Sequence, residues 1–337
     1  MLISFLLAHL ALDLFAAGTG GYHTFRIPAL AVTAKGTVLA FAEGRKDSPR
    51  DHGNIDLVVK RSTDHGKTWS PMSLVHEEGG DAPITIGNPC PIAARDGTVH
   101  LLFTRNNQRL FYTRSTDDGR TFLPPVEITE ILRGFDFPWT RLGAGPGHGI
   151  QLKKGRLLAP LWLNEKIHYN YRSGAVYSDD NGRSWKAGGL VPPAAGDANE
   201  CMLYQRKDGA VVVNMRSKAR HRTVAVSRDG GLGWSAPQAV EALPDPVCQG
   251  SVLGGRKGVF FANPASADKR VNLTVRLSRD GGATWPAAKT LHAGPSAYSD
   301  LAEARDGTIL CLFESGERSP YERLRLARFS VDWLLSH

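Results

Sequence analysis

Three observations predict an all-β chain built as a six-bladed β-propeller. A polar octapeptide recurs at intervals near fifty residues. Each copy follows a short apolar stretch of strand type. Glycine-bearing tight turns lead into further apolar strands between the copies.

The octapeptides are STDHGKTW from Ser62, STDDGRTF from Ser115, SDDNGRSW from Ser178, SRDGGLGW from Ser227 and SRDGGATW from Ser278, spaced by 53, 63, 49 and 51 residues. Each is a turn with its own physical logic. The aspartate side chain accepts bonds from nearby backbone amides, the glycine tolerates a left-handed conformation, and the terminal aromatic packs beneath the turn. The fourth copy carries Gly233 where the others have Thr or Ser, which predicts a looser turn. Alternating stretches such as IDLVVKRS, RLFYTRS, RTVAVSR and NLTVRLS run into the copies as strands. A second element, seen in KGTVLAFAEG, ARDGTVHLLF, KKGRLLAPLW, RKDGAVVVNM and ARDGTILCLF, is a tight glycine turn entering an apolar strand. A chain of 337 residues divided by a period of roughly 54 gives about six units. Five carry the polar turn, and the sixth is expected to combine the two chain ends.

Composition sets the class. With 42% hydrophobic and 22% charged residues the chain reads as an ordinary globular protein rather than a disordered one, and its 36 glycines and 20 prolines suit many turns. The formal charge of +8 favours anionic partners, but the basic residues form no run of five and no nucleic-acid module is recognisable, so nucleic acid is not the expected partner. Cys90, Cys201, Cys248 and Cys311 are far apart with no CxxC pair, which argues against zinc and for buried free thiols. The N-terminal MLISFLLAHLALDLF is too short to span a bilayer and has no basic residue ahead of it, so no stable membrane insertion is expected. Residues 1–12 are read either as a signal-like segment or as the start of the first strand, and residues 13–337 as one domain. A secreted or periplasmic place is favoured over a cytoplasmic one, and oligomeric state is left open.

The octapeptides resemble the Asp boxes of the sialidase (neuraminidase) family, and YHTFRIPAL contains the FRIP sequence that marks the start of a sialidase domain. The resemblance runs from about Asp13 to the C-terminus. It implies an exo-α-sialidase, a glycoside hydrolase that releases terminal sialic acids from glycoproteins, glycolipids and oligosaccharides with retention, needing no metal or organic cofactor. It also implies that the boxes are structural and lie on the face away from the active site. No appended lectin domain is evident, so the chain is expected to be the catalytic module alone.

Carried over residue by residue, the resemblance makes Arg26, Arg216 and Arg270 the three arginines that hold the substrate carboxylate. Arg276 is the alternative to Arg270 and is read as a solvated strand residue. Three converging cations make sense only where an anion binds. Tyr298 corresponds to the nucleophile and Glu200 to the base that activates it, since a phenol titrating near pH 10 needs a neighbour to take its proton. A neutral phenol also avoids repulsion by a carboxylate on the anomeric carbon. Asp51 corresponds to the acid/base, with Asp47 and Asp56 as rivals in the same loop and strand. Glu314 corresponds to a glutamate that orients Arg26. Arg45 and Asn88 match positions contacting ring hydroxyls or a similar group, and Trp162 an aromatic near the acyl group or aglycone, with a core role equally open for it. GPGHGIQL from Gly145 is family-like, although its glycines also suit a loop. The same residues would serve a trans-sialidase or an intramolecular transferase, and a non-catalytic sialoglycan-binding propeller or a protein-interaction propeller are the readings from other classes.

Overall fold

The computed structural model describes residues 10–165, 170–193 and 198–336. Their strands form five antiparallel sheets in chain order around a common centre. The first holds Thr24–Val32, Val38–Arg45, Ile55–Ser62 and Ser73–His76; the second Ile86–Ala93, Val99–Arg105, Arg109–Ser115 and Val126–Glu127. In the third, Arg141–Ala144 and Ile150–Gln151 both pair with Leu157–Glu165, followed by Asn170–Ser178 and Lys186–Leu190. The fourth holds Cys201–Gln205, Val211–Met215, His221–Ser227 and Gln238–Pro244. The fifth has seven strands, running from Ser251–Gly255 to Arg323–Phe329 and closing on the N-terminal strand Leu10–Ala16.

The all-β expectation holds, but the expectation of six blades is corrected. The described residues make four propeller-like sheets and one seven-stranded half-barrel. The cause is the 17-residue strand Ala287–Glu303. Its first half pairs with Val271–Ser278 and its second half with Ile309–Ser315, so Gly294 and Pro295 do not interrupt pairing: Val271 faces Pro295 and Ser296 faces Ser315. The two chain ends do meet, through Leu10–Ala16 paired with Arg323–Phe329. Of the N-terminal segment, residues 10–12 are therefore strand, and residues 1–9 lie outside the described residues.

The recurring turns explain why the sheets stack. In each box the serine hydroxyl bonds the aspartate and accepts from the glycine amide, as in Ser115 Oγ to Asp117 Oδ1 (2.8 Å) and Gly119 N to Ser115 Oγ (2.9 Å). The terminal aromatic then enters the core between its own sheet and the preceding one. Phe122 packs between the first and second sheets, Trp185 between the second and third, Trp234 between the third and fourth, and Trp285 between the fourth and fifth. Trp69 packs where the fifth sheet meets the first, beside Leu14, Leu312 and Leu326. One octapeptide thus closes a hairpin and seals a sheet-to-sheet interface, which is why it recurs. The second repeated element also behaves as read: Gly36, Gly97, Gly155, Gly209 and Gly307 all have positive φ immediately ahead of apolar strands, Val38–Arg45, Val99–Arg105, Leu157–Glu165, Val211–Met215 and Ile309–Ser315. All four cysteines are buried and free.

Register puts the boxes and the other strand ends on opposite faces. Ser62 pairs with Val38, which pairs with Val32, whereas Arg45 pairs with Thr24 and Ile55 at the far end. In the fourth sheet Ser227 pairs with Val211 and Val211 with Gln205, while Cys201 and Met215 face each other at the other end.

The box carboxylates are acid-sensitive. Burial raises Asp117, but bonds from Thr121 and Ser115 outweigh it and hold the group at about 2, while the Ser184 and Ser178 bonds hold Asp180 at about 2. Because the folded value lies below that of the unfolded chain, near 3.9, this stabilisation is complete above that value and lost as pH falls from about 4 to 2. Thermal midpoints measured from pH 6 to pH 2 are expected to fall most steeply in that window, and Asp117→Asn to flatten the slope. In the fourth box Asp229 keeps its bonds from Ser227, Leu232 and Gly233, but no hydroxyl stands at Gly233 to meet its second oxygen. A Cβ at Gly233 would lie 3.1 Å from that oxygen, the side from which Thr68, Thr121 and Thr284 bond their aspartates. Gly233→Thr is expected to stabilise by up to about 1 kcal/mol, read as a rise of roughly 2 °C in thermal midpoint.

Candidate active site

The side chains at the end away from the boxes converge because three inner strands are bulged at corresponding places. Register shifts between Arg26 and Ala29, Gly87 and Cys90, and Ser296 and Ser299. Ile27 and Asn88 adopt φ of 55° and 56° inside the first two bulges. For a β-branched residue such as Ile27 that conformation is costly, and bulges of this kind re-aim side chains next to functional sites. Glu200 immediately precedes Cys201–Gln205 and Arg216 immediately follows Val211–Met215. Their backbones are joined by Arg216 N to Glu200 O (2.9 Å), which sets the two side chains together.

Tyr298 is the hub. Its hydroxyl donates to Glu200 Oε1 at 2.5 Å and accepts from Arg216 Nη1 at 3.2 Å, while Arg216 also bonds Glu200 Oε2 at 2.7 Å. The Arg26 and Arg270 guanidinium carbons lie 5.1 and 5.7 Å from the centre of the Tyr298 ring. Arg26, Arg216 and Arg270 therefore meet on one phenol. Burial and the charge of Glu200 push that phenol well above its usual range, against the opposing pull of Arg216. It is held protonated, with its proton directed at a carboxylate.

Arg26 is gripped on both sides. Glu314, fully buried, accepts from Arg26 Nε (2.9 Å) and Nη2 (3.2 Å), and also from the backbone amides of Ile27 and Tyr298 (both 3.1 Å). On the other side Arg26 Nη1 donates to Asp51 Oδ1 at 2.8 Å, an oxygen that also accepts from Arg45 Nη1 at 2.9 Å. Arg45 is in turn held by Glu43 at 2.6 and 3.1 Å. Glu43's other oxygen accepts the Asn88 amide at 2.9 Å, tying the second sheet to the first. Asp51 remains 70% exposed at the side chain, the one carboxylate of this group that faces outward. Burial raises it, but the charges of Arg26 and Arg45 prevail and hold it below the usual carboxylate range. Its rivals are elsewhere: Asp47 is exposed, and Asp56 is buried against Tyr22 Oη (2.7 Å) and Lys46 (3.4 Å).

Tyr298, Glu200, Arg216, Arg45, Glu43 and Asp51 line a cleft of about 240 Å³, whose wall also includes Asn88, Asn107, Arg141, Trp162, Tyr171 and Asn199. Trp162 is half-buried against Tyr171, their rings 6.0 Å apart, so it faces the cleft rather than the core. Asn88 donates its side-chain amide to Thr104 Oγ1 at 3.3 Å. Arg276, expected to be solvated, is instead buried and bonded to Asn263 Oδ1 at 3.2 Å, because it pairs with Phe261 and so shares a face of the sheet with Asn263, its diagonal neighbour on the adjoining strand. Among the described residues no group of three or more His, Cys, Asp or Glu is placed to hold a metal ion.

Several participants were not legible in the sequence. Tyr321 accepts from Arg270 Nη1 at 3.0 Å while its ring lies 4.2 Å from the Arg26 guanidinium, so it bridges two of the three arginines. Glu43 carried no motif. His148, within GPGHGIQL, bonds the fully buried Asp300 through its ring Nδ1 (2.8 Å) and its amide (3.1 Å), and Asp300 also accepts Leu30 N at 2.8 Å. That stretch therefore joins three sheets at the centre. Only Asp300's place two residues after Tyr298 hinted at it.

Glu314→Gln leaves Arg26 paired only with an exposed carboxylate. Urea denaturation is expected to show a loss of about 3 kcal/mol, far beyond that of an exposed charge, as for removal of one partner of a buried pair.

Comparison with known proteins places this arrangement. A family model described as a BNR repeat-like domain matches residues 36–311. The sialidase of Micromonospora viridifaciens is 32% identical over 96% of this chain, which spans 54% of that longer protein. An exo-alpha-sialidase of Arthroderma benhamiae is 31% identical, covering 96% of this chain and 87% of its own length. Among solved structures, the Hadza microbial sialidase Hz136 superposes with a TM-score of 0.87 at 26% identity, over 97% of this chain and 69% of that one.

Proposed function

This chain belongs to the sialidase family, and from that premise we propose that it releases terminal sialic acids from glycans with retention, by the following division of labour. Arg26, Arg216 and Arg270 receive the substrate carboxylate. Asp51 protonates the departing glycosidic oxygen, and the Tyr298 oxygen bonds to the anomeric carbon as its proton passes to Glu200. In the second half Asp51 takes a proton from water, the water oxygen bonds to the anomeric carbon, and the tyrosyl oxygen departs, recovering its proton from Glu200. Two inversions give net retention. Arg45 and Asn88 contact ring substituents, Trp162 faces the acyl group or aglycone, and Glu314 holds Arg26.

The observation that carries this reading is the 2.5 Å bond from Tyr298 Oη to Glu200 within reach of three arginines. A phenol with so raised a pKa is not a phenolate at neutral pH, so attack requires proton transfer to a base already in contact. The depressed pKa of Asp51 is the converse requirement. A general acid must hold its proton near the working pH, and here two guanidinium charges oppose that. A substrate carboxylate arriving on Arg26 supplies the missing negative charge, screens Asp51 from that arginine and raises its pKa. Acid and substrate are coupled in this way, so the acid becomes competent when the correct ligand is bound.

With a fluorogenic α-sialoside, Tyr298→Phe is expected to lower kcat/KM on the order of 100-fold or more, while leaving the fold intact by circular dichroism. Proton NMR of the first product should show the α-anomer before mutarotation. Full activity in the variant, or an initial β-anomer, would remove the tyrosine from its assigned place.

A further inference from the structure

The cleft holds a second guanidinium system that the mechanism above does not use. Arg141 begins the strand Arg141–Ala144, is half-buried, and lines the same cleft as Asp51 and Trp162. Its Nη2 lies 2.7 Å from His52 Nε2. Since a guanidinium can only donate, His52 Nε2 must be the acceptor. A histidine side chain carries no negative charge in either of its ordinary protonation states. Arg141 is therefore steadied by a partner that does not cancel its charge.

That is unusual within this cleft. Arg26 is neutralised by Glu314 and Asp51, Arg45 by Glu43 and Asp51, and Arg216 by Glu200. Among the described residues, of these arginines lining the cleft or packed on Tyr298, only Arg270 and Arg141 lack an ion-paired carboxylate. Arg270 sits with Tyr298 and Tyr321, where the substrate carboxylate is placed by the reading above. Arg141 stands on the other side of Asp51, next to that residue's chain neighbour. Two uncancelled cations flanking the proposed acid match a substrate with two anionic groups flanking the bond that breaks.

We propose that Arg141, steadied by His52, forms a leaving-group subsite for an anionic sugar, and that the preferred substrates carry a carboxylated residue there, as when one sialic acid is linked to another. The inference rests on the proposed function, because it is the role of Asp51 as acid that puts the glycosidic oxygen beside His52. Whatever lies beyond that oxygen must pass His52 and reach Arg141. A planar guanidinium with free donors suits a carboxylate bidentately, and a sulfated sugar offers related chemistry.

The test compares kcat/KM of the full chain for an α2,8-disialyl oligosaccharide, a sulfated sialyl-lactosamine, α2,3-sialyllactose and a fluorogenic sialoside with an uncharged leaving group. The wild type is expected to favour an anionic leaving group over sialyllactose by about five- to tenfold, with the preference shrinking as salt is raised. Arg141→Gln should bring the ratio to within about twofold of one, and Arg141→Lys should retain part of it. Preference for the disialyl compound assigns the subsite to a carboxylate, and preference for the sulfated one to a sulfate ester. A wild-type ratio near one, or an equal ratio in wild type and Arg141→Gln, would overturn the proposal. Loss of all four activities in the wild type would instead refute the hydrolase reading. Calorimetric binding to Tyr298→Phe then still decides the subsite, which requires the disialyl compound to bind at least fivefold more tightly than sialyllactose only when Arg141 is present.

Discussion

The buried carboxylate of Glu314 is the constraint on which the rest of the site depends. It accepts two bonds from Arg26 and one each from the amides of Ile27 and Tyr298, so a single side chain joins the first sheet to the last at the point where the ring of sheets closes. An isolated carboxylate in the interior would be prohibitively costly; four donors, one pair of them charged, make it tolerable. Through those bonds it sets both the orientation of an arginine fork and the backbone position of the phenol. Closure of the fold and assembly of the site are the same event.

From that junction the remaining geometry follows by neutralisation. Most cations at the cleft are met by a carboxylate: Glu43 for Arg45 on the same strand, Glu200 for Arg216, Asp51 for the gap between Arg26 and Arg45. The network is rigid because most of its members are buried and each carboxylate serves more than one donor. Its least buried member is Asp51, the group to which proton transfer with the leaving oxygen is assigned. Tyr321 and Asp300 extend the same principle outward, one holding two arginines apart by stacking and bonding, the other pinning Leu30 and His148 around the centre.

The opposite end of the molecule is built on a different economy. There each box closes on itself through bonds within eight residues and sends a single aromatic into the neighbouring interface, with added bonds from an adjoining sheet in some copies, as from Thr33 and Thr37 to Asp118, so the turn itself can be repeated with little regard to its surroundings. The contrast accounts for the sequence pattern: repetition where interactions are local, and scattered single residues where they are not.

The boxes, the strands running into them and the glycine turns could be read from the chain because their interactions lie within a few residues. Arg26, Asp51, Glu200, Arg216, Arg270, Tyr298 and Glu314 could be picked out only through resemblance, since neither charge nor spacing distinguishes them from other arginines and acids. Tertiary structure alone decided the rest. It made one unbroken strand of Ala287–Glu303 and so five sheets where the period implied six, because hydrogen bonding continued past Gly294 and Pro295. It buried Arg276, brought in Glu43 and Tyr321, and left Arg141 with a histidine rather than a carboxylate partner. Those outcomes depend on which strands lie side by side, a long-range property that local chemistry does not encode.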